Sequence, residues 1–93
     1  MIEYLYNTIR ATAGDIMPIS AVITDQNGAD ITEAVHFMLF DKDENLVVTT
    51  NGEYKDGEWT FHVPTEGLAK GKYWYCICYH EEKLCFKQRL YLV

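Results

Sequence analysis

Positive charge is scarce in this chain. Eight Lys and Arg stand against fourteen Asp and Glu, a net charge of −6 with His neutral. A nucleic-acid binder draws its affinity largely from Lys and Arg on phosphates, and a protein held on anionic lipid needs the same residues, so both classes are disfavoured. No apolar run reaches the roughly 18 residues that a spanning helix needs. The start of the chain, with Glu3 and Arg10, lacks the basic stretch and apolar core of a secretory leader, and none is expected. Cysteines number only three, an odd count that argues against a disulfide framework and for reduced thiols. The six glycines are dispersed among polar turns and form no phosphate-cradling loop. Helical spacing of apolar residues is nearly absent.

What is present is apolar and aromatic. Of 93 residues, 48% are hydrophobic and 14% aromatic, with seven Tyr and two Trp. That is too apolar for a disordered chain, and the length suits one domain over residues 1–93 with one core of two layers. The charge is split along the chain: residues 1–66 carry a net −9 and residues 67–93 a net +3. Such a chain has the makings of an acidic side and a basic side, able to dock on copies of itself or on a larger scaffold.

The recurring period is two. Residues 4–11 are rich in Tyr, Thr and Ile. Met17, Ile19, Ala21 and Ile23 alternate with Pro18, Ser20, Val22 and Thr24, and Pro18, which lacks an N–H, places that strand at an edge or its own start there. Val35, Phe37 and Leu39 alternate next, and Trp59, Phe61 and Val63 after them. Residues 46–50 are a β-branched run. Asn27-Gly28, Asn51-Gly52 and Asp56-Gly57 read as hairpin signals. A long strand from Gly71 to His80 turns at Glu81-Glu82 into a last strand from Leu84 to Val93. Seven to eight short strands with turn signals every 8–12 residues or so predict an all-β fold, an antiparallel sandwich or small barrel.

A turn at Glu81-Glu82 sets the register of the last hairpin. It places Tyr79, Ile77, Tyr75 and Tyr73 opposite Leu84, Phe86, Gln88 and Leu90 on a core face. On the other face His80, Cys78, Cys76 and Trp74 stand opposite Lys83, Cys85, Lys87 and Arg89. That second face, with Trp74, Cys76, Cys78, Lys87, Arg89 and Tyr91, has the composition of a contact surface and is the candidate interface. The alternative is that a long connection or an N-terminal strand covers it. Trp74 and Arg89 make a cross-strand cation–π candidate.

The polar residues assemble no catalytic or metal-binding pattern. Cys76, Cys78, Cys85 and His80 fall on one face, but Cys-x-Cys on a strand spaces sulfurs about 6.5–7 Å apart, since each residue rises about 3.3 Å. Zinc sites prefer two to four intervening residues on a turn, so no metal is expected. A Cys78–Cys85 cross-strand disulfide is the alternative to reduced thiols. His36 and His62 point away from the core, with no nucleophile or acid at triad spacing. Asp41-Lys42-Asp43-Glu44-Asn45 lacks the central Gly and closing Glu of a calcium loop. No cofactor and no enzymatic activity are expected.

The layout Ala13-Gly14-Asp15, then Pro18 to Asp25, then Asn27-Gly28 and Asp30-Ile31-Thr32, resembles a recurrent module of tailed bacteriophages. So do Asp56 to Pro64 and the pattern Leu68, Gly71, Tyr73, Tyr75, Ile77. This is the immunoglobulin-like β-sandwich of head-fibre proteins, capsid-decoration proteins and the N-terminal domains of baseplate upper proteins. The resemblance runs from about residue 8 to residue 93 and rests on structural motifs, among them a Tyr after a Gly that is similar to a tyrosine corner. It implies a non-enzymatic virion structural protein, made in the host cytoplasm and carried in the virion. Its partners would be other virion proteins of capsid or tail, with no nucleic acid and no membrane, in several copies and as a homo-oligomer. Two further readings are a carbohydrate- or receptor-binding module using Trp59, Trp74 and the Tyr residues, and an acidic inhibitor of host defence built on residues 25–66.

Overall fold

Apolar residues at every second position need a second sheet to bury against, and the chain supplies one. The computed structural model describes residues 2–5, 8–24, 27–33, 35–79, 82–83 and 88–93. Ten strand segments follow in order: β1 (Ile2–Leu5), β2 (Thr8–Ala11), β3 (Ile16–Ala21), β4 (Val35–Phe40), β5 (Leu46–Asn51), β6 (Glu53–Lys55), β7 (Glu58–Pro64), β8 (Gly71–Tyr79), β9 (Glu82–Lys83) and β10 (Gln88–Leu92). Leaving aside the two shortest, β6 and β9, eight remain, and the all-β sandwich expected from the alternation is the fold.

One sheet has the order β1-β2-β10-β8-β4-β5, with β9 also on β8; the other has the order β3-β7-β6. Pairing is antiparallel except between β2 and β10, where Ile9 lies beside Leu90 and Ala11 beside Leu92 in parallel. The core lies between the sheets. Ile9, Phe37, Leu39, Tyr73, Tyr75, Leu90 and Leu92 from the larger sheet meet Met17, Ile19, Trp59, Phe61 and Val63 from the smaller one. Phe37 is its hub, 5.4 Å from the stacked ring of Tyr75 and 6.0 Å from the tilted ring of Phe61. Pro18 is exposed on β3, an edge strand, as its missing N–H requires.

The Asp-Gly signal at residues 56–57 closes a two-residue hairpin between β6 and β7, with Lys55 opposite Glu58. Both turn residues have positive φ, 52° at Asp56 and 85° at Gly57, the geometry that follows the twist of the flanking strands. The Asn51-Gly52 signal does not make a hairpin. β5 pairs with β4 in the larger sheet and β6 pairs with β7 in the smaller, so the chain crosses the sandwich at Gly52. The Gly52 N–H still donates to the Val35 carbonyl at 2.9 Å, extending the β4–β5 ladder by one position. Tyr73 donates its hydroxyl to the Ala69 carbonyl at 2.7 Å, pinning the start of β8 to the connection that feeds it.

Candidate functional site

The outward face of the larger sheet carries the predicted interface strand. In the open part of the last hairpin the register is as expected: Gln88 opposite Tyr75, Arg89 opposite Trp74, Leu90 opposite Tyr73. Near the turn it differs, with Tyr79 opposite Glu82 and Cys78 opposite Lys83 rather than Cys85. The return strand takes five steps from Lys83 to Gln88 while β8 takes three from Cys78 to Tyr75. The two stretches of ladder thus differ in register by two residues. His80, Glu81, Leu84, Cys85, Phe86 and Lys87 lie outside the described residues, so the expectations that fall on them, including the Cys78–Cys85 bridge and the interface role of Lys87, lie there too.

The six candidate interface residues do not behave alike. Cys76 and Cys78 are buried, at 0% and 3% exposure, and form with Phe40 a small second cluster against which Met38 and Trp74 pack. Buried in this way they offer no surface. Their sulfurs are 3.7 Å apart, and the Cys78 sulfur is 3.5 Å from that of Met38. The wider separation expected from strand rise does not hold: the two sulfurs are in close contact. These are packing distances, well beyond the roughly 2.05 Å of an S–S bond. Among the described residues no group of three or more His, Cys, Asp or Glu side chains could hold a metal ion.

Trp74 is half-buried, and the cation over its ring is Lys72, two residues away on the same strand, with Nζ 4.3 Å from the centroid. The expected Trp74–Arg89 pair exists as a register pair, but Lys72 takes the ring. Lys72 and Tyr91 are opposite, and Tyr91 lies beside Arg10 across the parallel β2–β10 pair. Three exposed cations, Arg10, Lys72 and Arg89, thus share one sheet face with the half-buried rings of Trp74 and Tyr91. Side chains directly opposite across a ladder stand about 4.5–5.5 Å apart at Cβ, so Lys72, Arg89, Trp74 and Tyr91 make a compact cationic and aromatic patch, bordered by Arg10, which has Glu3 opposite it in the β1–β2 ladder. Arg10 has no local signal pointing to it, since its place depends on a parallel pairing between the two ends of the chain. Lys72 was legible from alternation, being in phase with Trp74.

The acidic loop 41–45 is a self-contained turn. Asp41 Oδ1 accepts the backbone N–H of Asp43 and of Asn45, each at 2.9 Å, and Oδ2 accepts the Asn45 side-chain amide at 3.3 Å. Those carboxylate oxygens serve the turn, led by the Asn45 backbone N–H, which holds the Asp41 carboxyl below its ordinary range. A lowered folded value means stability that is complete above the unfolded carboxylate pKa of about 4 and is lost as pH falls through the folded value. Melting curves of the wild type and Asp41→Asn are therefore expected to differ at neutral pH and to converge as pH falls below about 4. A gap that persists undiminished in acid would show that the charge on Asp41 does not matter to the turn. Beside this loop an open cleft of about 370 Å³ separates Asp41–Asp43 from the stretch Ala69–Tyr73.

His36 is half-buried and His62 exposed, each on an outward face, as alternation predicts. Trp59 is inside, at 3% exposure, with its indole N–H on the Ile31 carbonyl at 2.6 Å. A scan against protein-family models finds no match to this chain, and a search of curated proteins finds none.

Proposed function

We propose that the chain is a non-enzymatic structural module of a tailed-phage virion, of the immunoglobulin-like sandwich type, that attaches to capsid or tail proteins through the outward face of its larger sheet. The observation that carries the attachment surface is the clustering of Arg10, Lys72 and Arg89 with Trp74 and Tyr91 on one face. Arg, Trp and Tyr are the residues most enriched at the energetic centres of protein contacts. The type of module is supported by two features. The neighbours β3-β7-β6 and β10-β8-β4-β5 follow the relations of a variable-type sandwich, and the Tyr73–Ala69 bond has the place of its tyrosine corner. The partner surface is acidic, to suit Lys72 and Arg89. The protein is made in the host cytoplasm and carried in the virion in several copies.

The glycan reading loses one of its two Trp platforms, because Trp59 is buried. Mass spectrometry of purified virions tests the class, and absence of the protein from them defeats it. Arg89→Glu tests the surface, since Arg89 is exposed and its reversal leaves the core untouched. The variant is expected to melt with the wild type and to load onto virions with an affinity roughly tenfold lower, about 1.4 kcal/mol. Undiminished loading would move the attachment surface elsewhere.

A further inference from the structure

A sheet edge is a row of unpaired backbone donors and acceptors, and proteins blunt such edges with proline, charge or cover. Among the described residues the two sheets end in β1, β5, β3 and β6, and the short charged β9, Glu82–Lys83, forms a further end on β8. β3 carries Pro18 in mid-strand, β6 consists of Glu53, Tyr54 and Lys55, and β1 carries Glu3. β5, Leu-Val-Val-Thr-Thr-Asn, has no proline and no charge. It exposes two large apolar side chains, Leu46 at 51% and Val47 at 38%, where the proline-bearing edge β3 exposes one, Ile16 at 64%. Among the described residues no strand pairs with its outer side.

We propose that the free edge of β5 is a strand-addition site at which two copies of this chain pair antiparallel about a two-fold axis, joining their larger sheets. The ladder is short. Leu39 is opposite Val48 and Phe40 opposite Leu46, so Val47 is an extra residue that bends the strand before Val48. Val48–Asn51 of one copy meets the same four residues of the other, and Leu46 and Val47 cover the ends. A second copy fits this edge better than a foreign peptide for two reasons. Each partner brings a strand already extended by its pairing with β4, so little ordering entropy is lost. The strand is neutral, so self-pairing sets no like charges opposite one another, although each chain carries a net −6. An interface this small falls below about 1,200 Å², the class of weak contacts. A dimer with Kd on the order of 10⁻⁴ M is expected, strengthened where several copies are held together on a scaffold. The pairing does not depend on what the cationic face binds.

Sedimentation velocity on the whole chain, from about 10 μM to 1 mM to bracket that Kd, tests it. The wild type is expected to shift from monomer to dimer, and the shift to grow with salt as the repulsion between acidic copies is screened. Thr49→Lys and Val47→Lys alter exposed side chains on β5, and each is expected to weaken the dimer at least about tenfold with the melting temperature retained. Four results overturn the proposal: a wild type that stays monomeric throughout, association indifferent to both lysines, association weakened by salt (which assigns it to unlike charged faces), or growth beyond the dimer.

Discussion

Gly52→Ala is expected to destabilise the protein by about 3 kcal/mol, at the upper end of what one added methyl does in a packed core. The position looks harmless in sequence, being half of an Asn-Gly pair between two short strands. In the fold it is where the chain passes from the larger sheet to the smaller, over the aromatic centre of the core. A Cβ there would lie 2.6 Å from Phe61 Cε1 and 2.6 Å from Trp59 Cε3. Neither ring has room to retreat. Phe61 is fully buried, with Phe37 at 6.0 Å and Trp59 at 6.4 Å, and Trp59 is tethered by its N–H to the Ile31 carbonyl. The backbone is held as well, by the bond from the Gly52 N–H to the Val35 carbonyl. Small domains have about 5–15 kcal/mol of stability in all, and 1 kcal/mol moves the midpoint of a domain this size by roughly 4–8 °C. The alanine variant should melt at least about 12 °C below the wild type, and Gly52→Val should not fold. A midpoint within about 4 °C would mean that the rings repack freely and that the crossing is not a close approach.

The same residue shows where sequence stops short of structure. An Asn-Gly pair announces a change of direction, which happens; it does not say which sheet the next strand joins. Asp56-Gly57 was fully legible because its hairpin is local, two strands and a turn within twelve consecutive residues. The last hairpin was legible where β10 pairs with β8 and misplaced by two residues where β9 pairs with β8, a shift to which a period of two is blind. Arg10 is the clearest case. It belongs by sequence to the acidic stretch, yet the parallel pairing of β2 with β10 sets it beside Tyr91 on the cationic face. The charge split along the chain is therefore not the charge split in space. Cys76 and Cys78 were placed on the outward face as interface candidates and are buried there, since alternation tells inside from outside for one layer only. It does not show that Phe40, Met38 and Trp74 build a second apolar patch on the far side of the sheet.

Thr65, for which the alternation pattern gives no sign, carries the second large expectation. It is a fully buried polar residue just beyond β7. Its hydroxyl donates to the Asp15 carbonyl at 2.5 Å and accepts the Gly14 N–H at 3.0 Å. Its own N–H also donates to the Asp15 carbonyl, at 3.1 Å, and its carbonyl accepts the Leu68 N–H at 3.1 Å. One side chain thereby joins the turn between β2 and β3 to the connection between β7 and β8. Both hydroxyl functions are used, which is what makes a buried threonine favourable rather than a burden. Thr65→Val keeps the shape and removes the hydroxyl, leaving the Gly14 N–H without its acceptor, for an expected loss of about 2 kcal/mol. Thr65→Ser keeps both bonds and gives up one buried methyl, a loss of about 1 kcal/mol. The order of the two variants is the test. If urea midpoints place serine above valine, the hydrogen-bonded clip holds that corner of the sandwich; if valine is the better tolerated, Thr65 is there for its methyl group, and the two loops are held by packing alone.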